Sequence, residues 1–161
     1  SPGDEKVLSK KVDRLYRCRK IQDVVDIVSK AISEFEKSME EQKDGLRGEI
    51  AKVKSYIQHH YSENNIGAED LARMVYLSPG YLSTVFKEET GMTLNRYIRE
   101  VRMNKARDLL GGTNMKITQI AKEVGFSNSS YFCRSFREYF GCSPESCRKG
   151  KVTDEEASSV V

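Results

Sequence analysis

One segment of the chain occurs twice, and this repeat constrains the fold more than any other feature of the sequence. Residues 71–78 match residues 120–127 at an offset of 49, and residues 81–91 match residues 131–141 at an offset of 50. The second copy therefore contains one extra residue between its two parts. A solenoid requires three or more regular repeats that stack on one another, and two copies with a register slip do not meet this requirement.

Each copy has the pattern of a helix-turn-helix motif. A short helix carries a small residue, Ala72 or Ala121, at the point where a crossing helix must approach closely. Ser78 and Ser127 follow at positions where a serine oxygen accepts a hydrogen bond from a free amide at the start of a second, longer helix.

The turn between the two helices differs between the copies. Gly125 suits a turn residue with positive φ, whereas Tyr76 stands at the same position in the first copy. Together these signals predict a first motif at about residues 66–90 and a second at about residues 116–140.

The longer helix of each motif has an apolar face and a polar face. The apolar faces carry Leu82, Val85, Phe86, Phe132 and Phe136. The opposite faces carry small polar or basic residues, which are Ser83, Thr84 and Lys87 in the first motif and Ser129, Cys133, Arg134 and Arg137 in the second. A helix about 10–12 Å wide fits the major groove of B-DNA and reads base edges with its N-terminal residues. The pattern therefore predicts a DNA-binding surface.

A connecting helix is predicted at about residues 93–111. A stiff helix of about 17 residues spans roughly 25 Å, and such a connector would set two groove-reading helices about 34 Å apart, one turn of B-DNA. Its basic positions include Arg96, Arg99 and Arg102. Arg96 and Arg99 suit either a phosphate contact or a solvated face, and the sequence leaves both readings open.

The segment before the motifs has an apolar stripe of helical spacing. Steps of three and four residues join Ile21, Val25, Val28, Ile32, Phe35 and Met39, and a similar stripe with Leu8, Val12 and Leu15 meets the first out of phase at Cys18. We therefore expect two helices or one kinked helix over residues 5–43, a helix stop at residues 42–45, and a further helix from Leu46 to Tyr61.

These boundaries suggest three regions. Residues 1–45 are expected to form a helical linker or dimerisation segment, with residues 5–43 as the candidate surface for a homodimer. Residues 46–150 are expected to hold the two motifs in an all-α domain of seven helices, and the small, acidic residues 151–161 to be disordered.

Composition excludes several function classes. Residues 66–150 carry 13 basic and nine acidic side chains, a net charge of +4 that favours a polyanionic partner. No apolar run is long enough to span a membrane, and neither a phosphate-binding glycine loop nor a catalytic triad pattern is present, so we expect neither a membrane protein nor an enzyme. The four cysteines and the pair His59-His60 lack the spacing of a structural zinc site, so we expect reduced thiols and no metal or other cofactor.

Residues 50–149 resemble the DNA-binding domain of the AraC/XylS family of bacterial transcription regulators. The resemblance rests on Ala106-Arg107-Asp108-Leu109-Leu110, on the run from Ile117 to Ser127, and on Tyr131-Phe132 followed by Phe136-Arg137, Gly141 and Ser143-Pro144. Residues 81–91 are similar to the subgroup fused behind a two-component receiver domain. The resemblance implies a cytoplasmic bacterial regulator, an activator that works with RNA polymerase and forms the output part of a response regulator.

The resemblance also implies roles for individual residues. It places base readers at Gly80, Ser83 and Thr84 in the first motif and at Ser129, Ser130, Cys133 and Arg134 in the second. Lys87, Arg102 and Arg137 are expected to contact DNA phosphates, which position a protein without specifying sequence. The alternative is a helical protein-interaction adaptor that uses the N-terminal stripes and is indifferent to DNA sequence.

Overall fold

The computed structural model describes residues 2–17 and 20–150, apart from the side chain of Pro2. Cys18 and the tail at residues 151–161 lie outside the described residues. The disorder expected in that tail stays a prediction. The chain divides into two compact units, residues 1–47 (the N-terminal unit) and residues 48–161 (the C-terminal unit). The described residues are helical throughout their regular structure, with no strand, so the all-α prediction is confirmed.

The N-terminal unit contains helix α1 (Pro2–Arg17) and the first part of helix α2 (Ile21–His60). Its helices pair side by side, since Lys11 Nζ lies 2.9 Å from Glu34 Oε2. Apolar residues of both helices line a groove of about 340 Å³ beside this ion pair, including Leu8, Val12 and Ile32.

Helix α2 does not stop where the sequence predicted. The expected stop at residues 42–45 is wrong, because the helix continues unbroken through Gly45 and Gly48 to His60. A glycine inside a helix costs only about 1 kcal/mol relative to alanine, and the residues around Gly45 are mostly strong helix formers. An ion pair one turn apart, between Asp44 and Arg47 at 3.4 Å, spans the same point.

The C-terminal unit holds seven helical stretches within the described residues. They are the end of α2, α3 (Ala68–Met74), α4 (Pro79–Thr90), α5 (Leu94–Gly112), α6 (Ile117–Glu123), α7 (Ser129–Phe140) and α8 (residues 144–150). Helices α3 and α4 form the first helix-turn-helix, and α6 and α7 form the second. The predicted boundaries of both motifs and of the connecting helix agree with these elements.

Helix α5 takes part in the packing of both motifs. Its first half buries Leu94 and Ile98, and its Tyr97 ring lies 5.4 Å from the ring of Phe86 in α4. Its second half buries Met103, Ala106 and Leu110 in a core that also contains Phe132 and Phe136 of α7. With 19 residues, α5 is about 28 Å long. One helix therefore fixes the spacing of the two motifs.

Two arginines tie connecting segments to this framework. Arg102 of α5 donates hydrogen bonds to the carbonyl oxygens of Tyr61, at 2.7 Å, and Glu63, at 2.8 Å. Arg148 of α8 donates to those of Leu110, at 3.3 Å, and Met115, at 2.7 Å. Tyr61 and Leu110 lie at the ends of α2 and α5, where carbonyl groups lack an intrahelical donor, and Glu63 and Met115 lie in the loops that follow.

No helix among the described residues combines the length and apolarity needed to cross a bilayer.

Candidate nucleic-acid interface

Side-chain caps define where the longer helix of each motif begins. Ser78 Oγ accepts a hydrogen bond from the Tyr81 amide at 3.3 Å, which confirms Ser78 as the cap of α4. The cap of α7 is Asn128, whose Oδ1 accepts from the Tyr131 amide at 2.9 Å. The prediction of Ser127 was wrong by one residue, because the extra residue of the second copy lies at this point and asparagine caps a helix as well as serine does.

The two turns adopt the same left-handed backbone with different residues. Tyr76 has φ 56° and Gly125 has φ 89°. Tyr76 is 96% exposed, so its side chain meets no steric clash, and the only unfavourable energy at this position is that of the left-handed backbone. A Cβ on Gly125 would lie 3.0 Å from the carbonyl oxygens of Tyr61 and Ser62 and 3.1 Å from Arg102 Cζ. Glycine is therefore favoured in the second turn by its φ and, unlike the residue in the first turn, also by the lack of space for a Cβ.

The outward face of α4 carries a glycine, two short hydroxyl side chains and one lysine. Gly80, Ser83, Thr84 and Lys87 are all exposed. The Ser83 hydroxyl donates to the Pro79 carbonyl at 2.9 Å, and the Thr84 hydroxyl donates to the Gly80 carbonyl at 3.1 Å. With their protons used inside the helix, both hydroxyls present acceptor lone pairs outward.

The outward face of α7 is more basic. Ser130, Arg134 and Arg137 are exposed, whereas Ser129 and Cys133 are only partly so. Cys133 packs against the core of the second motif, and burial together with nearby Glu145 raises the pKa of its thiol. The structure thus brings Ser130, Arg134 and Arg137 to one surface and places Cys133 at its inner edge.

Repeat positions on the two outward faces correspond at an offset of 50, and one pair was missed by the sequence analysis. Tyr81 and Tyr131 follow the predicted readers Gly80 and Ser130, and their side chains are 51% and 53% exposed. The sequence did contain a signal for this pair, because the two tyrosines occupy matching positions of the repeat. The pair was missed because aromatic residues at helical spacing are usually core residues, whereas these two are about half exposed.

Three concave surfaces follow one another across the C-terminal unit. The first includes Ser83, Thr84, Lys87 and Asn95. The second lies along α5 and shares Asn95 with the first, and the third shares Phe126 with the second. The third also contains Lys122 and Ser129, at the start of the second motif's outward face. The outward surfaces of the two motifs are thus connected through the first half of α5.

Arg102 has a structural position that the sequence did not predict. Its guanidinium is half-buried, lies 5.8 Å above the Phe126 ring and uses two N–H groups for backbone carbonyls. Burial lowers the pKa of Arg102, but a guanidinium keeps its charge in proteins. Arg102 also lines the second concave surface, and the phosphate contact predicted for it from the sequence stays a prediction.

The cysteines differ from the expectation of four reduced thiols. Cys142 and Cys147 are joined as a disulfide with their Cα atoms 6.1 Å apart, whereas Cys133 is free. The expectation was wrong for this pair because the turn between α7 and α8 brings together two residues whose sequence spacing indicated no bond.

A pair of capped helices with polar and basic outward faces, joined by one stiff helix, defines the class of helix-turn-helix DNA-binding proteins. Comparisons with known proteins agree. A helix-turn-helix domain family matches residues 71–150. The regulatory protein PocR of Salmonella typhimurium is 39% identical over 100 residues, which cover 62% of this chain and 33% of PocR.

Solved structures give the same result. The C-terminal domain of AraT, a response regulator from Geobacillus stearothermophilus, is 33% identical with a TM-score of 0.62, covering 63% of this chain and 84% of that one. The DNA-binding domain of AdpA, a global transcriptional factor solved in complex with a target DNA, is 25% identical with a TM-score of 0.60, covering 63% of this chain and 90% of that one.

The chain belongs to the AraC/XylS family of helix-turn-helix transcription regulators. This family consists of DNA-binding regulators and not of enzymes, in agreement with the expectation from sequence. The chain spans a third to a half of the first curated relatives, at 33% and 46% of their lengths.

Proposed function

We propose that the C-terminal unit binds double-stranded promoter DNA sequence-specifically, with α4 and α7 in successive segments of the major groove. The observation that supports this proposal is the pairing of two capped helices with exposed polar faces on one rigid helix, α5. Both helices begin at a side-chain cap and carry exposed residues in their first turns, as groove-reading helices do.

Within this proposal the two helices have different tasks. Arg134 is the main base reader, because an exposed guanidinium donates two hydrogen bonds to O6 and N7 of guanine. Ser83, Thr84 and Ser130 contribute shorter contacts, and Gly80 allows the backbone to approach closely. Lys87 and Arg137 contact phosphates on either side. Ser129 and Cys133 shape the edge of the surface by packing, since both are partly buried.

The wider setting follows from the relatives. AraT and a second neighbour, from Fusobacterium nucleatum, are described as response regulators, and this chain aligns with their C-terminal domains. We propose that the chain is the output part of a two-component response regulator, that it acts in the bacterial cytoplasm, and that it activates transcription through contact with RNA polymerase.

The N-terminal unit is proposed to hold two copies together. Ten large apolar side chains of α1 and α2 are 43% exposed or more, including Ile21 at 86% and Phe35 at 66%. Six of them, from Ile21 to Met39, follow one stripe along α2. A continuous exposed apolar stripe is typical of a surface that meets a partner.

Sedimentation of the full chain tests this self-association. We expect a dimer that Ile32→Asp converts to monomer, whereas Ser33→Asp, which adds the same charge one position away from the stripe, leaves the dimer intact. A wild-type chain that remains monomeric at high concentration would remove the proposal.

Selection of duplexes from a random pool by the full chain tests the proposed DNA binding. We expect a recovered consensus with two conserved blocks, bound at least a thousandfold more tightly than random duplex. Equal binding of selected and random duplexes would contradict sequence-specific recognition and would favour the adaptor alternative.

A further inference from the structure

A cavity of about 570 Å³ lies between the two motifs, along the first half of α5. We call it the inter-motif pocket. Its polar walls come from Asn95, Arg96, Arg99 and Arg102 of α5, and Phe126 and Tyr131 of the second motif close the other side. None of these six residues is among the base readers proposed above.

The pocket collects positive charge on one side of one helix. Arg96, Arg99 and Arg102 follow at intervals of three residues, and no acidic side chain lines the cavity. Glu138 of α7 pairs with Arg99 at 2.9 Å and holds that guanidinium against the second motif. Arg102 is fixed by the carbonyl groups of Tyr61 and Glu63. Two of the three guanidiniums are therefore held in place before any ligand arrives.

These guanidiniums also keep unused bonding capacity. Arg99 Nε is buried and has no hydrogen-bond partner among the described atoms. Arg102 uses only two of its five N–H groups for carbonyls. Asn95 and the exposed Arg96 add further donors at the rim. The matching ligand is an anion with several acceptor oxygens, and a phosphate group has this chemistry.

The position of the pocket indicates where such a phosphate comes from. Asn95 also belongs to the concave surface with Ser83, Thr84 and Lys87, and Phe126 belongs to the one with Ser129. A duplex that offers successive major-groove segments to α4 and α7 must carry its intervening sugar-phosphate backbone across the surface between them. The inter-motif pocket occupies that surface.

We propose that the inter-motif pocket binds a phosphate group of the DNA backbone between the two major-groove segments. Arg96 and Asn95 contact the phosphate from the rim, and Arg99 and Arg102 supply fixed positive charge behind it. The pocket thereby sets the register of the duplex without reading its sequence. This inference rests on the DNA binding proposed above.

The first test measures how salt affects binding of the selected and the random duplex. Each phosphate contact adds about 0.9 to the negative slope of log affinity against log salt. We expect Arg96→Gln to lower the slope by about one and to weaken both duplexes by the same factor, about three- to tenfold at 0.1 M salt. Asn95→Asp, which adds a negative charge to the rim, should weaken both further. Circular dichroism of each variant checks that the fold is retained.

Arg107→Gln is the matched control. It removes the same charge from the same helix, but Arg107 lies 5.3 Å over the Phe140 ring and does not line the pocket. We expect its slope to equal that of the wild type.

The second test locates the phosphate and separates its two sources. Neutral methylphosphonates placed one at a time between the two conserved blocks should weaken wild-type binding at one or two positions and should weaken Arg96→Gln less at the same positions, because one of the charged contacts is already absent there. Titration of the free protein with inorganic pyrophosphate, followed by NMR, tests for a free anion instead. Saturable shifts that Arg96→Gln abolishes, without any methylphosphonate effect, would assign the pocket to a soluble phosphate ligand and overturn the DNA assignment.

The outcomes separate this inference from the proposed function. If a consensus is selected but Arg96→Gln and Asn95→Asp keep the wild-type slope, the inter-motif pocket is not a phosphate site and the DNA binding stands. If no duplex is preferred, sequence-specific recognition is wrong, and the inter-motif pocket is then tested on random duplex alone, where a wild-type slope for Arg96→Gln would overturn it.

Discussion

The two helix-turn-helix motifs have nearly the same backbone and different surfaces. Both contain a left-handed turn residue, a side-chain cap and a longer helix of 12 residues that ends at a left-handed glycine, Gly91 or Gly141. At matching positions the first motif presents Thr84 and Lys87, and the second presents Arg134 and Arg137. Geometry is repeated where packing demands it, whereas the outward faces share a basic residue at one matching position and differ in charge at the other.

The turns of the two motifs also share a backbone conformation and differ in their surroundings. Tyr76 is tolerated in a left-handed conformation because its side chain points into solvent. Gly125 is buried against the end of α2 and against Arg102. The turn of the second motif therefore packs closely against other residues of the C-terminal unit, whereas the side chain in the turn of the first motif is exposed.

The largest expected effect is on Gly125. We expect Gly125→Ala to lower the free energy of unfolding by about 2–4 kcal/mol, because it adds left-handed strain of about 1–2 kcal/mol to a clash with two carbonyl oxygens. Urea denaturation measures the change. Tyr76→Ala, which keeps a Cβ at the corresponding position, is the control and should change stability by less than about 1 kcal/mol. Equal losses in both variants would show that the two turns are not different in packing.

The next effect separates the outward faces. We expect Arg134→Ala to cost about 1–3 kcal/mol of binding to the selected duplex and to relax the preference at one base position. Thr84→Ala, at the matching position of the first motif, should cost less than about 1 kcal/mol, since a single hydroxyl makes no bidentate contact. Competition binding with single-base variants of the duplex measures both. If Arg134→Ala weakens selected and random duplexes equally, Arg134 contacts a phosphate.

Lys87 and Arg137 test a position at which the motifs should behave alike. We expect Lys87→Ala and Arg137→Ala each to weaken binding to all duplexes equally and to lower the salt slope by about 0.9. A loss confined to one base pair in either variant would assign base reading to that residue.

The smallest effect is expected at Tyr76. Tyr76→Gly relieves left-handed strain of about 1–2 kcal/mol but increases the entropy of the unfolded chain, so we expect a net stabilisation of about 0.5 kcal/mol. Thermal unfolding measures it. A loss of more than about 1 kcal/mol would mean that the exposed ring has a structural role.

Sequence reasoning located both motifs and the connecting helix because caps, turns and apolar spacing are local signals. It failed at Gly45, where one glycine was given more weight than the strong helix formers on both sides. It also placed the cap of α7 one residue too early, because Ser127 and Asn128 are both good caps and only the packing of the turn chooses between them.

Parts of the candidate site depend on contacts between distant residues. The attachment of Arg102 to the carbonyls of Tyr61 and Glu63 joins residues about 40 positions apart, and a sequence gives no sign of such a pair. The exposure of Tyr131 likewise depends on which face of α7 meets the core. The charge, size and spacing of Arg134 were readable in advance, but the partial burial of Cys133 was not.

Footprinting of the selected duplex tests the central claim most directly, namely that α5 holds α4 and α7 on one side of the molecule for successive major-groove segments. Methylation and hydroxyl-radical protection by the full chain should reveal, for each bound unit, two protected segments on the same face of the duplex with centres about 10 base pairs apart. Arg134→Ala should remove a guanine protection from one segment only. Protection of a single segment, or of two segments on opposite faces of the duplex, would contradict the account.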